Sequence, residues 1–395
     1  MVTSSRFSGK PVPVPDPGSV PLSLYIHWPW CVRKCPYCDF NSHAAPGAIP
    51  EERYIGALLR QLDSELPLAL GRPLQTIYIG GGTPSLMTGA GMRRLLDGVR
   101  ERLRLAPGCE ISMEANPGTV EAGKFEAFAA AGVNRVSIGV QSFSGAALSR
   151  LGRIHSPEEA KAAAAEAARV FGNFNLDLMF GLPGEDPEAL DADIASALAA
   201  GSTHLSFYQL TIEEGTAFAK KTPEGIPDGD RLWEMTDRII GRLGEAGFRR
   251  YEVSGYAKPG RECRHNLNYW RYGDYLALGA GAHGKASTEK GVLRFAGSAR
   301  PAIYMREVES EGRSGESRLV PDEELPFEFM LNGLRLLDGI AESDFEARTG
   351  LPVSVIRPEL EEARGMGLLT DEPGRFRASA KGMDFLSDLQ EMFLF

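Results

Sequence analysis

Between Pro21 and about Leu210, short runs of β-branched and aromatic residues alternate with longer amphipathic stretches. Parallel strands need a crossover long enough to hold a helix, so this alternation predicts repeated β/α units. The predicted strands are 23–27, 76–80, 110–115, 135–140, 173–179 and 204–209, with helices predicted at 51–66, 160–170 and 187–199 between them. Six such units make an α/β fold, a partial (β/α)6 barrel, in which the loops at the C-terminal strand ends converge on one mouth.

The rest of the 395 residues divides around that unit. Residues 1–20 carry Pro11, Pro13, Pro15 and Pro17 and are predicted to form a flexible N-terminal arm, with the barrel over 21–250. After a predicted helix at 233–245, residues 251–320 are Gly- and Tyr-rich without clear periodicity, and are expected to be an irregular segment closing the barrel mouth. Residues 321–395 read as three helical stretches, a short strand and a final helix, a C-terminal winged-helix-like module. The net charge of −10 argues against a broad nucleic-acid surface, and no apolar run is long enough to span a membrane. The five cysteines are too few for a disulfide framework, and the N-terminus lacks a secretory signal, so the expected location is cytoplasmic.

Three of the cysteines, Cys31, Cys35 and Cys38, form a C-x3-C-x2-C run directly after the first predicted strand. Three thiolates on one loop can hold three corners of a [4Fe-4S] cubane, leaving one iron open to a ligand. Zinc is the alternative, but its sites usually pair two C-x2-C or C/H units, and no second pair lies nearby. Gly80-Gly81-Gly82-Thr83-Pro84 follows the second strand, where glycines let the backbone approach a ligand closely. Glu114, Gln141, Arg153 and Asp177 fall at or near the ends of later β/α units.

The cysteine loop resembles that of the radical S-adenosylmethionine (SAM) superfamily. The resemblance implies a [4Fe-4S] cluster on Cys31, Cys35 and Cys38, with SAM chelating the open iron. By the same resemblance Gly81, Gly82 and Thr83 meet SAM, and Tyr25, Tyr37, Glu114, Gln141, Arg153 and Asp177 match further cofactor-binding positions. Tyr25-Ile26-His27-Trp28-Pro29, GGGTP, GVQSF, LGR and DLMFGLPGE together are similar to the oxygen-independent coproporphyrinogen III oxidase group over most of 22–300.

That group has a dehydrogenase branch, which decarboxylates two porphyrinogen propionates, and a haem chaperone branch. The dehydrogenase motif continues to a cysteine two residues after the third; this chain has Phe40 there. Only thirty residues precede Cys31, where the dehydrogenase carries a longer segment. His265-Asn266-Leu267-Asn268-Tyr269-Trp270 resembles the chaperone branch's H-N-x-x-Y-W signature, which places haem near His265, Asn266, Tyr269 and Trp270. An imidazole can ligate haem iron and the two aromatics offer flat faces, with Cys263 an alternative ligand. The resemblance therefore implies a haem chaperone without catalytic residues of its own, whose partners are haem, haem-accepting proteins and an electron donor for the cluster. The alternatives are the dehydrogenase and a cluster-bearing winged-helix regulator, the latter disfavoured by the absence of a basic stripe.

Overall fold

The structure, a computed structural model, describes residues 16–45, 47–120 and 123–395. Its strands β1 (Leu22–Trp28), β2 (Leu74–Gly81), β3 (Leu105–Ala115), β4 (Arg135–Gln141), β5 (Phe174–Phe180) and β6 (His204–Gln209) pair in parallel in chain order. Helices α1 (Glu51–Ala69), α2 (Gly89–Arg102), α3 (Lys124–Ala131), α4 (Pro157–Val170), α5 (Pro187–Ala199) and α6 (Gly229–Glu245) lie along the chain between and after them. Local sequence sets several helix starts: Ser156 and Glu159 form a capping box on α4, and Asp186 and Asp228 cap α5 and α6.

Two-residue alternation along the strands decides what faces where. Val136, Ile138 and Val140 of β4, Leu176 and Leu178 of β5, and Leu205 and Phe207 of β6 are buried in the main core. The intervening Arg135, Ser137, Asn175, His204 and Ser206 line a chamber inside the barrel, although they too are buried. Parallel strands covered on both faces usually read as continuous apolar runs. Here the inner face is polar, and every group on it needs a partner or a ligand.

Residues 251–320 correct the expectation of an irregular segment at the mouth. They contain β8 (Gly255–Ala257), which with β7 (Arg249–Arg250) extends the β6 edge, then helix α7 (Arg264–Trp270). Next, β9 (Asp274–Leu278) runs parallel to β1 as a seventh parallel strand. The antiparallel strands β10 (His283–Thr288), β11 (Gly291–Ala296) and β12 (Glu316–Leu319) complete a 12-stranded sheet, with helix α8 (Pro301–Glu311) between the last two. Short strands separated by glycine turns left too little periodicity to read. Helix α7 packs against β1, β2 and β9, and its His265 bonds Thr76 near the start of β2, so it closes the floor and not the mouth.

The arm expected over 1–20 lies outside the described residues as far as residue 15. Beyond that it is tied down: Ser19 N–H donates to the Asp16 carbonyl at 3.1 Å, Val20 is buried, and Arg72 donates to the Val20 carbonyl at 2.9 Å.

After β12 the chain builds a second core from Phe329, Phe345, Leu360, Phe376 and Leu389. Helices Leu325–Gly333, Glu342–Thr349 and Arg357–Gly365 surround it, with the strand pair Ile340–Ala341 and Arg375–Phe376 as a short wing. The expected final helix is two, Ala380–Asp384 and Leu386–Glu391, broken at Phe385. No helix among the described residues is long and apolar enough to cross a membrane.

Candidate functional site: a thiol-rimmed polar chamber

The cysteine loop begins where β1 ends and is stitched back by a short parallel bridge. His43 N–H donates to the Pro29 carbonyl at 2.7 Å and Ala45 N–H to the Cys31 carbonyl at 2.9 Å. Trp28, Trp30 and Tyr54 pack edge-on in one cluster beneath it, which fixes the direction in which the loop leaves. Cys31, Cys35 and Cys38 all border the mouth of the chamber, a cavity of about 460 Å³, within the usual range of small-molecule sites. Burial, and then Cys38 and Cys35, push the Cys31 thiol up. The other two thiols make only long contacts, Cys38 Sγ to Ser42 Oγ at 3.6 Å and Cys35 Sγ to Arg153 Nη1 at 3.7 Å.

The glycine segment is joined to this loop by its backbone. Gly82 N–H donates to the Trp28 carbonyl at 2.7 Å and Thr83 N–H to the Trp30 carbonyl at 2.8 Å. A Cβ at Gly82 would stand 2.6 Å from the Trp30 oxygen, and one at Gly81, whose φ is +115°, would stand 2.6 Å from the His27 ring. The glycines are thus needed first for the close approach of the two loops to each other, a reason that spacing alone does not reveal. We expect Gly82→Ala to force the loops apart, costing about 1–3 kcal/mol of stability and at least tenfold in SAM affinity. Thermal melting and SAM titration of the variant check this.

Glu114 fastens the same segment from β3: its Oε2 accepts from Gly81 N–H and its Oε1 from the Tyr78 hydroxyl, each at 3.0 Å. Burial, with Asp177 adding to it, pushes this carboxyl up to about 7. Asp177 accepts from Ser137 Oγ at 2.7 Å and Asn175 Nδ2 at 2.8 Å, and burial raises it as well. Arg153 donates to the Gly139 carbonyl at 2.6 Å and reaches Tyr37 Oη at 3.5 Å, while its buried Nε has no partner. Gln141 has φ +67° at a bulge in β4, a strained conformation of the kind that clusters at functional sites.

The structure therefore brings Cys31, Cys35, Cys38, Tyr37, Gly81, Gly82 and Thr83 to one mouth, with Glu114, Gln141, Arg153 and Asp177 on the walls and Asn266 deeper. Tyr25, His265, Tyr269 and Trp270 do not line the chamber. Tyr25 donates or accepts at His27 Nδ1, 2.9 Å away, and stacks on Tyr78. Trp270 faces the other way, with the Arg335 guanidinium 4.3 Å over its ring.

His265 is only 1% exposed and both of its nitrogens are engaged. Thr76 donates its hydroxyl to Ser23, so its oxygen accepts the His265 Nδ1–H at 2.6 Å. The Nε2 lone pair then accepts from the Tyr269 hydroxyl at 2.8 Å. Burial, then Arg135, push this imidazole down to about 3, so it is neutral. A haem iron could reach Nε2 only by displacing Tyr269. Sequence reasoning also passed over Arg135, Ser137, Asn175, His204 and Ser206; their signal was a polar residue at every second position of strands otherwise apolar.

A partial parallel barrel with three thiols beside a glycine loop at its mouth defines a radical SAM protein. The thiols fit a cluster: all three cysteines are free and share one mouth. The pattern of the Radical SAM superfamily matches residues 25–197, and that of the HemN C-terminal domain matches 320–385. The Heme chaperone HemW of Escherichia coli is 51% identical over 377 residues, covering 95% of this chain and 98% of the relative. The bovine "Radical S-adenosyl methionine domain-containing protein 1, mitochondrial" is 36% identical over 95% of this chain and 88% of its own length. The solved structure of E. coli coproporphyrinogen III oxidase (HemN), described as a radical SAM enzyme, superposes with a TM-score of 0.81 at 21% identity, over 95% of this chain and 90% of that one. The chain belongs to the HemW family of the radical SAM superfamily.

Proposed function

We propose that this protein is a haem chaperone that binds haem and delivers it to haem-dependent proteins. The near-full-length identity to HemW carries the reading. Phe40 supports it: this residue stands where the dehydrogenase branch has a further cysteine, and it is exposed at the rim of the chamber. Cys31, Cys35 and Cys38 would hold the [4Fe-4S] cluster, and Gly81, Gly82 and Thr83 would seat SAM. When bound, that pair supplies one-electron chemistry at the open iron. The chain's own residues hold the two loops together, keep Glu114 and Asp177 inward, and place Asn266 beneath the mouth. A cytoplasmic location and an electron donor for the cluster complete the proposal.

The test is anaerobic reconstitution with iron and sulfide, followed by haem titration and a parallel assay with coproporphyrinogen III, SAM and reductant. The expected result is about one haem per chain and no decarboxylation. Vinyl formation without a stable haem complex would make the protein a coproporphyrinogen III dehydrogenase.

A further inference from the structure

Arg135 stands at the start of β4, facing inward on the same side as Ser137, Gly139 and Gln141. It lines the chamber yet is only 2% exposed, and its Nε has no hydrogen-bond partner. Among the described residues no hydrogen bond or ion pair engages its guanidinium. Glu110 acts on it through space, but the Glu110 Oε1 already accepts from the His265 N–H at 3.2 Å and lies 3.8 Å from the Cys263 thiol.

A guanidinium without a partner in a buried interior is costly unless something accepts from it. A planar guanidinium fork matches a carboxylate in two-point contact. The neighbouring His204 and His265 are held neutral by burial, so neither adds a competing charge. From Gln141 at the mouth to Arg135 is six residues of strand, about 20 Å at the usual rise, so a ligand must extend below the glycine loop to reach it.

We propose that Arg135 forms a carboxylate-binding site at the chamber floor, and that it takes a propionate of the haem cargo. The haem assignment rests on the function proposed above; the carboxylate site does not. The test uses full-length, cluster-reconstituted protein titrated separately with haem, haem dimethyl ester and SAM. Wild type is compared with Arg135→Gln and Arg135→Lys.

Haem affinity is expected to fall at least tenfold in Arg135→Gln and to recover in part in Arg135→Lys. Wild type should bind the dimethyl ester at least tenfold more weakly than haem, and the substitution should leave ester and SAM binding unchanged. Unaltered haem and SAM affinities in a folded Arg135→Gln protein would overturn the proposal. A fall in SAM affinity alone would assign the carboxylate to SAM and overturn the propionate. If Arg135→Gln does not fold, the comparison of haem with its ester on wild type decides, equal affinities counting against the proposal. If wild type binds no haem, the chaperone reading fails, and the SAM titration alone then judges the site.

Discussion

Replacing Cys31, Cys35 and Cys38 together with serine should abolish cluster assembly while leaving the fold intact. Iron and sulfide content after anaerobic reconstitution should fall to background, with loss of the visible charge-transfer absorption. The remaining cysteines cannot substitute: Cys109 is buried at 7% exposure, and Cys263 at 1% lies at the floor beside Glu110. The fold should survive because, among the described residues, no hydrogen bond shorter than 3.6 Å holds any of the three thiols. Their contacts to Ser42 and Arg153 are long, and the bridge that anchors the loop is made by backbone groups. A melting temperature within a few degrees of wild type, with no iron retained, is the expected pair of results. Retention of stoichiometric iron would place the cluster elsewhere.

The largest stability effect is expected at Asp274, at the start of β9. Its carboxylate is fully buried and accepts from Arg72 Nη1 at 2.8 Å, Lys285 Nζ at 2.9 Å, and the Ser287 N–H and Oγ, each at 2.9 Å. Arg72 in turn holds the Val20 carbonyl, and Lys285 lies 4.2 Å over the Tyr272 ring, so one carboxylate ties the start of β1 to the added strands and the second core. Asp274→Asn would leave two buried cations facing a neutral amide. Breaking a buried pair from one side costs about 3–5 kcal/mol, and chemical denaturation should show a loss of that size.

The same group carries a pH dependence. Burial alone would raise the Asp274 carboxyl, but the attraction of Lys285, then the hydrogen bonds from Lys285, Arg72 and Ser287, hold it below the ordinary value. A carboxyl depressed in the folded state stabilises the protein above its unfolded pKa, near 4, and that contribution is lost as pH falls through the folded value. Wild type should therefore lose stability on acidification below about pH 4 more steeply than Asp274→Asn, which has no such carboxyl to protonate. Equal slopes would show that folding does not depress the Asp274 carboxyl.

The six barrel strands were legible because each satisfies a local rule of residue type and spacing, and Pro187–Ala199 was bounded correctly by Asp186 and Pro187 at its start. The three thiols and the glycine segment were legible because they are contiguous in sequence and end consecutive-in-space strands β1 and β2. The segment 251–320 was not, since β9 finds its place through a long-range pairing with β1 that no local pattern announces. The helix order of 321–395 was readable for the same local reasons, but the break at Phe385 was not, nor was the strand Ile340–Ala341, which forms only by pairing with Arg375–Phe376.

Periodicity and adjacency within a few residues are enough to set the parallel β/α plan, the thiol loop and its glycine neighbour. That His265 lies locked between Thr76 and Tyr269 beneath the chamber, and that Arg135 lines it without a hydrogen-bond partner at Nε, is set by the packed fold alone. Those facts depend on which side chains distant strands and a late helix bring face to face. A buried polar group's partner is a property of the packed interior, and no local spacing in the chain encodes it.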